Sequence, residues 1–146
     1  MNLIEEYGDL FEISNEKEHN GYMLAHCIAA DFGLGAGIAV EFNKRYKLRG
    51  KLRNNYTVDG KVPQCIKIDN VYNLVTKKKS WGKPTYDTLR GSLELMKEDI
   101  IENNVIKLAM PLIGCGLDRL NWNKVREIIE EVFGDLDIEI RVRKLN

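Results

Sequence analysis

Short apolar runs alternate with longer amphipathic stretches along this chain, and this alternation limits the folds it can adopt. Apolar runs bounded by polar residues or glycine are typical of β-strands, and they occupy 3–7, 22–27, 65–68, 71–75 and 106–110. Most of these runs lack a polar face, so we expect the strands to be covered on both sides. The final run differs, because Ile138, Ile140 and Val142 alternate with charged residues, which predicts a strand with one wet face.

The stretches between the runs have helical spacing. One predicted helix follows Pro84 and Thr85, and its apolar side chains recur every three or four residues: Leu89, Leu93, Met96 and Ile100. A second has Asn121 as its N-cap and Gly134 just past its end at C′, with its own apolar stripe: Val125, Ile128, Ile129 and Val132. A third is expected over 37–46, followed by a basic helical or loop segment through Leu52. Alternating strands and helices predict an α/β fold with three layers, α/β/α.

The composition indicates one globular domain over 1–146. The chain has 146 residues, of which 44% are apolar, and no apolar run is long enough to cross a bilayer. Because the first residues lack a basic segment followed by an apolar one, we expect a cytoplasmic protein with no membrane partner. Three widely spaced cysteines argue against a disulfide framework or a zinc site and predict buried thiols: Cys27, Cys65 and Cys115. Basic and acidic residues balance at 22 each, so any anion recognition must be local.

Two glycine-rich segments are candidates for local anion recognition. The first, 33–37, precedes the third predicted helix, and the second, 113–120, joins the run 106–110 to the helix at Asn121. Glycine lets the backbone approach a ligand, and successive N–H groups before a helix can converge on a phosphate. Ile38 stands where the dinucleotide fingerprint needs its third glycine, and the sequence has no P-loop. For either segment alone, a flexible turn without a ligand is the alternative.

Several short motifs occur in an order that resembles a known family. They are Gly8-Asp9-Leu10-Phe11, Ala25-His26-Cys27-Ile28, Gly35-Ala36-Gly37-Ile38-Ala39-Val40, Thr76-Lys77-Lys78, Lys83-Pro84-Thr85-Tyr86 and Gly114-Cys115-Gly116-Leu117-Asp118-Arg119-Leu120. Together they resemble a macrodomain, and nearly the whole chain is similar to the terminal ADP-ribose protein glycohydrolase branch. The resemblance implies a macrodomain with a central mixed sheet that binds ADP-ribose across its top.

The resemblance also implies which residues hold ADP-ribose. The Asp9 carboxylate would accept from the adenine amino group, and the Leu10 N–H would meet the ring. The first glycine turn would hold the distal ribose and the adjoining phosphate: Gly35, Ala36, Gly37, Ile38 and Ala39. The second glycine turn would wrap the diphosphate from the other side: Gly114, Cys115, Gly116 and Leu117. Where the branch tends to carry an aromatic residue near the adenine, this chain has Arg143, whose guanidinium can stack on a purine.

The same resemblance makes Lys77 and Asp118 a catalytic pair that needs no metal and no cofactor. Lys77 would attack the anomeric carbon of the distal ribose, and Asp118 would assist and then resolve the covalent adduct. Apart from the resemblance, three lysines after a strand are usually a solvated turn. Asp118 alone could equally cap a helix or pair with Arg119.

The implied activity is removal of terminal ADP-ribose from a protein carboxylate or a nucleobase, with a role in the DNA damage response. Two alternatives remain open: a module that only binds ADP-ribose, and a phosphatase that acts on ADP-ribose 1″-phosphate. The expected partners are ADP-ribose and ADP-ribosylated protein or nucleic acid. The expected state is a monomer.

The remaining candidates have structural interpretations. His26 lies on a predicted buried strand and is expected in the core, whereas His19 lies in a polar loop. Trp122 is expected in the core, and Trp81 either covers the site or, more commonly for such a residue, packs near its turn. A basic cluster could attract DNA, RNA or poly(ADP-ribose), or could be a wet helix face: Lys44, Arg45, Lys47, Arg49, Lys51 and Arg53.

Overall fold

The computed structural model describes residues 1–15 and 21–145. Within these ranges six strands form one sheet: β1 Asn2–Tyr7, β2 Met23–Ala29, β3 Gln64–Ile68, β4 Val71–Lys77, β5 Lys107–Met110 and β6 Glu139–Lys144. Five helices accompany them: α1 Leu10–Asn15, α2 Ile38–Tyr46, α3 Leu48–Asn55, α4 Tyr86–Glu102 and α5 Trp122–Phe133. Every predicted strand and helix is present, the basic segment forms the helix α3, and the sequence did not predict α1. None of these helices is long and apolar enough to span a membrane.

The sheet is mixed, and its strand order is β1-β6-β5-β2-β4-β3. The first five strands in this order, β1, β6, β5, β2 and β4, are all parallel to their neighbours. At the far edge, β3 pairs with β4 in the antiparallel sense. Because parallel strands point the same way, the carboxyl ends of β1, β6, β5, β2 and β4 meet at one side of the sheet. In open α/β sheets this side is where ligands bind.

Helices cover both faces of the sheet. The stripe residues Leu93 and Ile129 of α4 and α5 belong to the same buried cluster as Tyr72 of β4, whereas residues of α1, α2 and α3 form a second cluster with Val71 and Val75 on the opposite face. Successive β4 side chains therefore enter opposite layers, as the pleat of a strand requires. This arrangement confirms the three-layer α/β/α prediction.

Local hydrogen bonds explain where the two long helices begin. Thr85 caps α4 by accepting from the Thr88 N–H, and the Thr88 hydroxyl oxygen accepts from the Thr85 N–H in return. Asn121 caps α5 as predicted, by accepting from the Asn123 N–H at 2.9 Å. Gly134 follows α5 but is right-handed, with φ −57° and ψ −26°, not left-handed as a C′ glycine usually is. A Cβ there would lie 2.5 Å from the Glu130 carbonyl oxygen, so close approach is what favours glycine.

The charged face of β6 is less exposed to solvent than predicted. Ile140 and Val142 are fully buried, as expected for the apolar face. On the other face, Arg141 and Arg143 both pair with Glu6 of the neighbouring strand β1, and the Arg143 side chain is only 10% exposed. The face predicted to be wet is therefore a half-buried layer of ion pairs between β1 and β6.

Candidate active site

A groove of about 930 Å³ runs along the carboxyl side of the sheet. Asp9, just after β1, lines one end, and Lys77, the last residue of β4, lines the other. Four strand spacings separate β1 from β4 in the sheet order, which at about 4.8 Å each places these ends roughly 19 Å apart. The groove is therefore long enough for an extended ligand.

Every residue predicted for the site lines this groove. The set is Asp9, Leu10, Gly35, Ala36, Gly37, Ile38, Ala39, Lys77, Gly114, Cys115, Gly116, Leu117, Asp118 and Arg143. These residues come from loops and strand ends that are far apart in the chain. The parallel sheet brings them together because their strands end on the same side.

Lys77 and Asp118 are in direct contact. Lys77 Nζ donates to Asp118 Oδ1 at 2.7 Å, and each side chain is 15% exposed. Lys77 ends β4, whereas Asp118 lies in the loop after β5, and β2 separates these two strands in the sheet. An amine held against a carboxylate in a half-enclosed groove can exchange a proton with it and act as a nucleophile.

The first glycine turn leads into α2. Gly37 is the N-cap of α2 and has φ 61°, a left-handed conformation that favours glycine. The helix begins at Ile38. The first N–H groups of an α-helix have no acceptor within the helix, so those of α2 could bind an anion. Gly35 has no such backbone requirement, and a Cβ there would come no closer than 4.0 Å to another atom. Gly35 lines the groove.

The second glycine turn is closed by its own hydrogen bonds. Gly114 has φ 71°, and its carbonyl accepts from the Leu120 N–H at 2.8 Å. A Cβ on Gly114 would lie 2.9 Å from Leu120 Cδ1, whereas one on Gly116 would meet nothing within 4 Å. Lys83, which precedes α4, donates to the Leu117 carbonyl at 2.7 Å and fixes the far side of the turn.

Asp9 and Arg143 are held together at the other end of the groove. Asp9 Oδ1 accepts from the Phe11 N–H at 2.9 Å, which uses one carboxylate oxygen within the protein. Arg143 pairs with Glu6 through Nε and donates from Nη1 to the Asp9 carbonyl at 3.2 Å. A Cβ on Gly8 would lie 2.8 Å from Arg143 Nη1, so glycine permits this approach.

The sequence did not predict Asp31, which connects two walls of the groove. Its carboxylate accepts from the Ser80 N–H at 2.8 Å and from the Gly33 N–H at 3.0 Å. Partial burial opposes ionisation, but these hydrogen bonds and the charge of Lys79 hold the pKa of Asp31 below its ordinary value. An Asp two residues before a glycine is a common turn signal, so the Gly33 contact could have been found from sequence.

Trp81 lies at the rim of the Lys77 end. Its side chain lines the groove and is 80% exposed, so it is not packed against the core. Lys79 Nζ lies 5.9 Å from the centre of its ring, within range of a cation–π contact.

Trp122 is less buried than predicted. It packs at the edge of the core and donates from its indole N–H to Glu5 Oε1 at 2.7 Å.

Comparison with known proteins identifies the family, although no family model matches the chain. The sequence is 46% identical over 140 residues to the human and bovine proteins named ADP-ribose glycohydrolase OARD1, and the alignment covers 94% of this chain and 88% of each relative. The chain belongs to the macrodomain family. Its branch is that of the OARD1 glycohydrolases, and membership of this branch makes it a hydrolase.

Solved macrodomains have the same fold. The macrodomain of Mycobacterium tuberculosis DarG superposes with a TM-score of 0.79 at 21% identity, over 97% of this chain and 96% of that one. Thermosipho africanus DarTG in complex with ADP-ribose gives a TM-score of 0.72 at 16% identity, over 99% of this chain and 42% of that one. At these identities the likeness concerns the fold.

The three cysteines of this macrodomain, predicted to be buried thiols, are free thiols that are only partly buried. Desolvation is the main cause that raises the pKa of Cys27 and Cys65 to about 12 and that of Cys115 to about 11. Cys27 and Cys115 line the groove but stay protonated near neutral pH, so neither is a nucleophile there. Within residues 1–15 and 21–145, no group of three or more metal-ligating side chains is placed to hold a metal ion.

His26 is a core residue of the macrodomain, as predicted. It is fully buried, stacks on Phe42 with ring centres 3.9 Å apart, and donates from Nε2 to Asn73 Oδ1 at 2.6 Å. Burial lowers its pKa from 6.5 to about 4. His19 lies outside the described residues.

Proposed function

We propose that this macrodomain hydrolyses the bond between the distal ribose of ADP-ribose and the macromolecule that carries it, with Lys77 as nucleophile and Asp118 as acid–base partner. The observation that carries this proposal is the 2.7 Å contact between Lys77 Nζ and Asp118 Oδ1 in the groove. A module that only binds ADP-ribose needs no amine held against a carboxylate. A phosphatase for ADP-ribose 1″-phosphate would use the same groove and remains the other alternative.

The residues at the two ends of the groove support one orientation of the ligand. The adenine would lie at Asp9, whose carboxylate would accept from its amino group, with the Leu10 N–H at the ring and Arg143 stacked on it. The diphosphate would lie between the first and second glycine turns, facing their N–H groups. The distal ribose then reaches Lys77, roughly four strand spacings away.

The proposed reaction has two steps. Asp118 takes a proton from Lys77, and the free amine attacks C1″ of the distal ribose, so that a C1″–N bond forms as the bond from C1″ to the acceptor breaks. The acceptor leaves with the bonding electron pair and receives from Asp118 the proton that came from Lys77, so Asp118 is again a carboxylate. Asp118 then acts as a base that takes a proton from water as the water attacks C1″, and the C1″–N bond breaks to release ADP-ribose. The proton on Asp118 returns to the Lys77 amine, which restores the starting pair.

Among possible acceptors, the groove rim favours a nucleobase over a protein carboxylate. Trp81 offers an exposed aromatic face at the Lys77 end, and the neighbouring side chains of Lys78 and Lys79 are exposed. Exposed aromatic faces beside cations are surfaces on which bases of single strands stack. We also propose that the protein is a cytoplasmic monomer with a single domain and acts in the DNA damage response.

The test is a parallel incubation of the protein with ADP-ribosylated protein, ADP-ribosylated single-stranded DNA and ADP-ribose 1″-phosphate. We expect free ADP-ribose from the macromolecular substrates, with DNA the better one. The variant Trp81→Ala should lose this preference for DNA and keep its activity on protein. Binding of ADP-ribose without any release would support the reader alternative, and phosphate release alone would support the phosphatase.

A further inference from the structure

The basic cluster on α2 and α3 is largely engaged within the protein. Arg45 and Lys51 pair with nearby carboxylates at the surface. Arg49 and Arg53 instead donate to backbone carbonyls in the segment 31–34, which leads from β2 into the first glycine turn. Two of the charges that could attract a polyanion are therefore directed at the segment that forms a wall of the groove.

Arg49 makes the closer of these contacts. Its Nε donates to the Gly33 carbonyl at 2.8 Å, and its Nη2 lies 3.5 Å from the Leu34 carbonyl. The planar guanidinium can reach both oxygens because its donors form a fixed fork. The Arg49 backbone N–H donates to Asn43 Oδ1 at 2.8 Å, which fixes the start of α3 and hence the origin of the side chain.

Arg49 lies behind the turn and outside the groove. Leu34 and Gly35 line the groove, whereas Arg49 does not. In a trans peptide the carbonyl and the N–H point in opposite directions. Because the carbonyls of Gly33 and Leu34 point to Arg49, the N–H groups of the same two peptides, those of Leu34 and Gly35, point away from it. Gly35 itself lines the groove, so an N–H that points away from Arg49 can reach a ligand there.

We infer that Arg49 is a positioning residue, which holds the first glycine turn so that the Gly35 N–H faces the ligand's diphosphate. Asp31 secures the same segment from its other side by accepting from the Gly33 N–H at 3.0 Å. The carbonyl and the N–H of Gly33 are thus both held by charged side chains, which fixes the segment before the turn. The inference rests on the proposed placement of the diphosphate between the two glycine turns.

The experiment compares Arg49→Met with Lys51→Met, which removes the same charge from the same helix at a residue paired with Asp69 on the surface. Calorimetry measures the affinity for ADP-ribose and for adenosine, which lacks the diphosphate. We expect Arg49→Met to bind ADP-ribose at least about fivefold more weakly, since one charge-assisted hydrogen bond is typically worth that much or more. Adenosine binding should not change. Arg49→Lys, which keeps the charge but not the fork, should lie between Arg49→Met and the wild type.

Amide resonances of the ligand-free protein give a second readout that does not depend on the function. In Arg49→Met the Leu34 and Gly35 N–H signals should shift or broaden, while Lys51→Met leaves them in place. Equal losses of ADP-ribose affinity in both variants, or equal losses for ADP-ribose and adenosine in Arg49→Met, would overturn the inference. A wild-type protein that binds no ADP-ribose would instead overturn the proposed function and, with it, the role of Arg49 toward the diphosphate.

Discussion

At the scale of single residues, the environment decides which of several similar side chains can act. Lys77 and Lys78 are adjacent in the sequence, yet Lys77 contacts Asp118 while the Lys78 side chain is exposed. Successive residues at the end of a strand point to opposite sides, so only one of the two can face Asp118. The difference between them makes Lys78 a matched control for Lys77.

We expect Lys77→Ala to bind ADP-ribose normally and to lose at least about 99% of its turnover, because it lacks the nucleophile. Asp118→Ala should form the adduct more slowly, because the base that deprotonates Lys77 is missing, and should accumulate it on the enzyme, because no base remains to activate water. Mass spectrometry of tryptic peptides should find the adduct at Lys77 and not at Lys78. Lys78→Ala should retain wild-type turnover. Full release activity in Lys77→Ala would contradict the mechanism.

The buried His26 predicts a pH dependence of stability. Its pKa is about 4 in the folded protein and 6.5 as an ordinary value, so the unfolded chain binds a proton between these values that the folded chain does not. Stability from this residue is therefore complete above pH 6.5 and decreases as the pH falls toward 4. Between about pH 7.5 and about pH 5 the loss should be about 2 kcal/mol.

Urea denaturation of the wild type and His26→Gln at both pH values isolates this effect. Carboxylates contribute equally to the pH dependence of the two proteins, so the difference between them reports on His26. The variant should be less stable at neutral pH, because it disturbs a packed core, but its stability should change less with pH. Identical pH dependence in the two proteins would show that His26 does not titrate as described.

At the scale of elements, the two glycine turns contain glycines of two kinds. Gly37 and Gly114 have positive φ, so the backbone itself favours glycine there. Gly35 and Gly116 have neither a positive φ nor a close neighbour that a Cβ would meet. A side chain at Gly35 or Gly116 would therefore disturb the fold little and would instead occupy space in the groove.

Gly35→Val and Gly116→Val should therefore fold normally and bind ADP-ribose at least about tenfold more weakly, since the added side chain displaces the ligand from the backbone N–H groups. Gly50→Val is the control, because Gly50 also has open space around it but lies on α3 and does not line the groove. Circular dichroism checks the fold and calorimetry the affinity. Unchanged affinity in the folded Gly35 and Gly116 variants would exclude the proposed diphosphate position.

At the scale of the whole molecule, the sheet sets the length of the binding site. In the proposed binding mode, the adenine and the distal ribose would lie at strands separated by four spacings, with the two glycine turns between them. In that binding mode no single element of the fold would contact the whole ligand. The affinity must therefore be distributed along the groove, and fragments of the ligand should capture only part of it.

ADP-ribose should accordingly raise the melting temperature by several degrees, because a ligand at about 100 times its Kd adds about 2.7 kcal/mol to the free energy of unfolding. AMP and ribose 5-phosphate at the same concentration should each produce a clearly smaller shift. Differential scanning fluorimetry compares the three ligands. Equal shifts for AMP and ADP-ribose would mean that the Lys77 end contributes no binding.

The sequence by itself determined the layers of this protein and the positions of its turns. Strand runs, helical stripes, the Asn121 cap and the glycine motifs depend on nearest neighbours along the chain, so local chemistry predicts them. The resemblance to macrodomains supplied the residue set that lines the groove. Gly134 shows the limit of local rules, because glycine is favoured there by a close approach to the Glu130 carbonyl and not by a left-handed turn.

Only the tertiary structure decided which distant groups meet. The contacts of Lys77 with Asp118 and of Arg49 with the Gly33 carbonyl join residues 41 and 16 positions apart. The exposure of Trp81 and the burial of Arg143 likewise depend on which strands and loops become neighbours. Such pairings depend on strand order and helix packing, which arise from the burial of the whole apolar surface at once, and no single segment of the sequence encodes them.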